Sequence, residues 1–145
     1  MIHNFYIVRK NGICVFHRKF GSLEEDPQSM AGFLTAISMF ARATIGEDIK
    51  SLATDNFKFL FKSYGEFTFI TFVDTSDENN NVQDLLKDVE ECFRGLFPNA
   101  NNTCTNGNLL IFRAFNQPLE TLVNTFHQKK LDTPKIFTEV CTTNH

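Results

Sequence analysis

Side chains able to do chemistry are few in this sequence, and none converge along the chain. His3, His17, His127 and His145 each stand alone, whereas a metal site needs two or more imidazoles or thiolates at short spacing, as in HxH or HExxH. They read as structural or surface histidines. Cys14, Cys92, Cys104 and Cys141 are far apart, with no CxxC. Reduced thiols are expected, with a single Cys92–Cys104 bridge as the alternative. Cys92 falls on an apolar helical stripe, where it serves as a small hydrophobe, and Cys104 lies in a polar loop. The pairs Glu24–Glu25 and Glu90–Glu91 hold consecutive carboxylates, which on a helix do not face one pocket as acid and base partners must. GxSxG, GxGxxG and GxxxxGK[ST] are absent, and with them the usual nucleophile turn and phosphate cradles. No catalytic residue, metal or cofactor is expected.

The elements that carry these residues follow from periodicity. Residues 2–9 alternate as a strand, and Asn11-Gly12 separates them from a second apolar run ending at Phe20, which predicts an antiparallel hairpin with a type I′ turn. Alternation puts Cys14, Phe16 and Phe20 on one face of the second strand, with Val15, His17 and Lys19 on the other. Asp26 as N-cap, Pro27 at the first position and apolar residues at 30, 33, 34, 37, 40, 41 and 45 predict a helix stopping at Gly46. Glu24, Glu25 and Asp26 then sit at the positive end of its dipole.

Strands over 49–55, 57–64 and 66–74 form a meander, with Phe57, Phe59 and Phe61 on one face and Lys58 and Lys62 turned outward. A polar loop at 75–81 ends in an asparagine cap. Val82, Leu85, Leu86, Val89, Cys92, Phe93, Leu96 and Phe97 then keep helical spacing up to Pro98. Residues 109–115 make a helical turn or a short extended piece, 118–130 a third helix, and 131–145 a tail that is frayed or loosely docked. The order predicts an α+β fold, a five-stranded antiparallel sheet with helices on both faces, arranged β-β-α-β-β-β-α-α over residues 1–130.

A chain of 145 residues suffices for one core, and 17 Phe with no Trp make that core phenylalanine-rich. The formal charge of −3 gives no broad basic footprint for nucleic acid. The Phe-rich strands lack the aromatic-and-glycine signature of RNA-binding sheets. The start MIHNFYIVRKNG is unlike a secretory signal, and no apolar run approaches the roughly 20 residues needed to span a bilayer, so a cytoplasmic location is expected.

This order of elements resembles the longin fold over residues 1–130. FYIVRKNGICVFHRKFG resembles the longin start of strand, polar-Gly turn, strand and long helix, and FKFLFKSYGEFTFITFVD resembles its central hairpin. Longin domains, vesicle-coat adaptor light and small chains, the coatomer zeta subunit, sedlin-type tethering subunits and the N-terminal domain of the signal-recognition-particle receptor alpha subunit share that order. The chain is most similar to free-standing archaeal longin proteins. The resemblance implies a noncatalytic platform in small-GTPase regulation or vesicle-mediated transport. Its implied partners are a small GTPase, another longin or roadblock domain, or a second copy in a homodimer, with membranes met only peripherally, through partners. No heptads or apolar anchor follow Lys130, so a SNARE role is not expected.

For the partner surface the expectation is Phe33, Ile37 and Phe40 of the first helix with Arg18 and Phe20 of the second strand, beside the acidic loop. Those three helix residues also read as ordinary core. The alternative function is a small-ligand sensory domain or an enzyme on a profilin-like scaffold, which requires an apolar pocket of roughly several hundred Å³ under the first helix.

Overall fold

The computed structural model describes residues 1–22, 24–100 and 109–143, and of residues 131–143 the backbone only. In chain order the elements are β1 (Ile2–Arg9), β2 (Cys14–Lys19), α1 (Pro27–Thr44), β3 (Ser51–Ala53), β4 (Phe57–Tyr64), β5 (Phe67–Asp74), α2 (Asn79–Leu96), a 3-10 stretch (Leu109–Phe115) and α3 (Asn116–Thr143). The strands form one antiparallel sheet in the order β2-β1-β5-β4-β3. This is the predicted α+β fold.

Two-residue alternation divides the sheet between two cores. Tyr6 and Val8 of β1, Phe59 and Phe61 of β4 and Ile70 of β5 pack with Ala31 and Leu34 of α1. Phe5, Ile7, Leu60, Phe67, Phe69 and Val73 point the other way, into a larger core closed by α2, the 3-10 stretch and α3. Phe93 of α2 is its hub, with ring centroids 5.3 Å from Phe67 and from Phe69, 5.7 Å from Phe112 and 5.5 Å from Phe115. Fully buried Val82, Leu86, Val89 and Phe93 account for the helical spacing of α2.

Several local expectations are corrected. In the β1–β2 turn Gly12 N–H donates to Arg9 O at 2.8 Å, and only Gly12 has positive φ, at 93°. It is therefore a three-residue connection with glycine at the left-handed position, not a type I′ turn. Val8 pairs with Cys14 and Ile7 with Phe16, so Val15 is the extra residue of a bulge. The bulge moves two residues to the face opposite the expected one: Cys14 joins Tyr6 and His17 on the α1 side and Val15 joins Phe16, Arg18 and Phe20 on the α3 side, while the expected split of Phe16 and Phe20 from His17 holds. Lys58 is not outward either. It is 8% exposed, and its Nζ donates to Thr75 O at 3.3 Å, Asn79 Oδ1 at 2.6 Å and Asp77 O. With helices on both faces, β4 has no solvent face at that position.

The α2 N-cap is Glu78, without a side-chain cap bond, rather than an asparagine. The helix of α3 continues past Lys130 to Thr143, and how 131–145 packs lies outside the described residues. Cys14 and Cys92 are free thiols, so the alternative bridge is not formed; Cys104 and the side chain of Cys141 lie outside the described residues.

Candidate functional site

The helix that carries the expected surface is set by its entry. Asp26 caps α1, its Oδ2 accepting from Ser29 Oγ at 2.6 Å and Ser29 N–H at 3.3 Å, and Pro27 begins the first turn. Those bonds from Ser29 hold the Asp26 carboxyl below its usual value. The neighbouring carboxylates clamp the loop to the sheet. Glu24 pairs with Lys19, and Glu25 accepts from the hydroxyl of fully buried Tyr6, with His17 Nε2 3.8 Å away. Burial first, then the Glu25 bond and charge, push the Tyr6 phenol far up.

Along α1, Ala31, Leu34 and Ala41 are buried against the sheet. Phe33, Ile37 and Phe40 stand at i, i+4 and i+7, one adjoining stripe of the helix. Phe33 is 55% and Phe40 69% exposed, with Ile37 half-buried between them. The core reading of these two rings is thereby displaced. Met39 and Ile45 are also exposed, and Ile13 is exposed in the segment joining β1 to β2. Periodicity alone did not separate these from core residues, because a wide apolar stripe looks alike whether or not it is covered.

Arg18 and Phe20 are elsewhere. Arg18 donates to Asn116 Oδ1 and Glu120 Oε2 of α3, both at 3.2 Å, and its guanidinium lies 5.2 Å from the Phe20 ring centroid. This pair ties β2 to α3, on the opposite face of the sheet from α1, so the five residues do not make one continuous patch. The helix trio is brought together; the strand pair is not joined to it.

Beneath the second half of α1 lies an open cavity of about 200 Å³, with Val8, Leu34, Phe61 and Ile70 among its lining and the Arg42–Asp48 ion pair, 2.5 Å, at its edge. That is below the roughly 300–1,000 Å³ of typical small-ligand sites. Burial pushes the Cys14 thiol up to about 11, so it is not poised as a nucleophile at neutral pH, and burial likewise lowers the His17 pKa. Among the described residues no three His, Cys, Asp or Glu side chains are placed to hold a metal ion. No helix among them is long and apolar enough to cross a membrane.

Among solved structures, the mammalian SRP receptor is similar to this chain at 17% identity and TM-score 0.58, covering 90% of this chain and 98% of that one. At that identity the likeness shows the shared fold. A Roadblock/LC7 domain from Streptomyces avermitilis matches at 11% identity and TM-score 0.49, over 63% of this chain and 85% of the other. The gliding protein MglB from Thermus thermophilus matches at 12% and TM-score 0.47, over 57% and 67%. No curated protein matches the sequence. The family model described as the first longin domain of FUZ, MON1 and HPS1 matches residues 3–101, from the start of β1 to just beyond α2. The chain belongs to that longin family.

Proposed function

We propose that this chain is a noncatalytic protein-interaction module, a platform in a small-GTPase-regulating or trafficking-like assembly, working in the cytoplasm and meeting membranes only through partners. The observation that carries the reading is the outer stripe of α1, where Phe33 and Phe40 hold most of their surface in water. Leaving two large rings exposed on a helix forgoes the transfer free energy that burial would add, about 1.5–3 kcal/mol each, and a partner surface recovers it. Longin membership supports the same class, and the small cavity under α1 gives the sensory alternative little support. The partner that fits the stripe is another longin or roadblock domain, or a second copy, with a small GTPase bound to the resulting pair.

Light scattering after size exclusion tests this, first on the chain alone and then mixed with small GTPases from the same source in GDP and GTP-analogue states. A pair, or a nucleotide-dependent complex, that is lost in folded Phe40→Glu is the expected result. A strict monomer that shifts with no GTPase in either state overturns the reading.

A further inference from the structure

The opposite side of the molecule carries a second surface of different chemistry. α2 and α3 run antiparallel, with Phe93 5.5 Å from Phe115 at one end and Asp77 Oδ1 2.5 Å from Lys130 Nζ at the other. Between the first half of α2 and the stretch of α3 up to Lys130 they leave a groove of about 440 Å³. Its apolar lining is Leu85, Leu122 and Phe126, the last two only partly buried. Its α2 wall presents Asp84 and Asp88, at the i, i+4 spacing of one helical stripe, with Glu78 at the helix cap, while Lys129 and Lys130 lie on the α3 wall, so carboxylates outnumber cations in the lining. Asp77 is satisfied by Lys130, but those three carboxylates form no ion pair among the described residues. Like charges at i, i+4 raise one another's free energy, and a cation brought by a partner would relieve it.

We propose that this groove binds an amphipathic helix of a partner protein, apolar residues seated on Leu85, Leu122 and Phe126 and a row of lysines or arginines along the edge facing Glu78, Asp84 and Asp88. A helix laid between two helices is the packing such a groove admits. The charge of the α2 wall selects among occupants. Anionic lipid and nucleic acid are repelled, and a second copy meeting this face with its own would bring carboxylate to carboxylate. A bound metal is disfavoured because no three of the acidic side chains converge on one point. The surface lies across the sheet from the α1 stripe, so the proposal stands independently of the pairing reading and would let one chain hold two partners at once.

The test uses the full chain and a fluorescent peptide as long as α2, with leucines at helical spacing and lysines along one flank. Controls are a scrambled peptide of the same composition and one with glutamate in place of lysine. Fluorescence anisotropy is expected to show binding that weakens with salt, is weaker by about tenfold or more for the Asp84→Asn, Asp88→Asn double variant, and is unchanged for Asp55→Asn, a carboxylate outside the groove. These substitutions are at exposed positions, and circular dichroism verifies that the variants fold. Equal affinity of the double variant, equal binding of the glutamate or scrambled peptide, or no binding up to roughly 1 mM overturns the proposal.

Discussion

Lys58 shows how one residue's role is decided by what lies over it. Its ammonium closes the β5–α2 connection by bonding two backbone carbonyls and Asn79. Lys58→Met keeps the stem but strands three acceptors, and should cost about 2–4 kcal/mol, read as a lower urea midpoint with unchanged slope. A second cluster links charge to pH. Burial opposes the Asp77 charge, but bonds from Lys130 and the N-terminal amine outweigh it and leave the carboxyl below its ordinary value of 3.8. Burial, then the nearby amine, lowers the His127 pKa below 6.5, and its neutral Nε2 accepts from Ile2 N–H at 3.1 Å. In both cases the unfolded chain binds more protons, so this stability is complete above pH 6.5 for His127 and above 3.8 for Asp77, and is lost as pH falls below each. Thermal melts should therefore drop in midpoint as the pH falls below 6.5. His127→Gln, which still accepts a hydrogen bond but does not titrate, should remove the His127 part of that slope.

At the scale of elements, the edge of β2 is managed by a side chain of the helix above it. Gln28 accepts from Cys14 N–H at 3.2 Å and donates to Cys14 O at 3.0 Å, standing in for a neighbouring strand. Gln28→Ala should cost about 1 kcal/mol and expose a pairing edge, visible as added self-association on storage. Elements whose neighbours are local were legible beforehand. α2 announces itself because its apolar residues from Val82 to Phe93 face one core, only Leu96 at its end being exposed, and α1 because Asp26-Pro27 starts it. The faces of Cys14 and Val15 were misread because a bulge at Val15 depends on its pairing with β1, and the turn type because Gly12 alone, and not Asn11, takes positive φ. The exposed stripe of α1 was half legible. Spacing found Phe33, Ile37 and Phe40, but not whether anything covers them.

The whole molecule is lopsided. One helix covers one face of a five-stranded sheet, while two helices and a 3-10 stretch fill the other. Phenylalanines on the two sides should therefore respond very differently to truncation. Phe93→Ala, at the hub of the larger core, is expected to cost about 3–5 kcal/mol, whereas Phe40→Ser should stay within about 0.5 kcal/mol. Denaturant melts of the two variants measure the contrast, and similar losses would mean that α1 is more deeply packed than its exposure indicates. By itself the sequence determined the order of elements, the apolar faces of the helices and the lack of a catalytic motif, because these follow from spacings of a few residues. Only the tertiary structure decided that Arg18 and Phe20 lie across the sheet from α1, that Lys58 is buried, and that an acidic groove separates α2 from α3. Each of those depends on which distant segment covers a face, and strand pairing, bulges and helix placement set that through contacts between residues far apart in the chain.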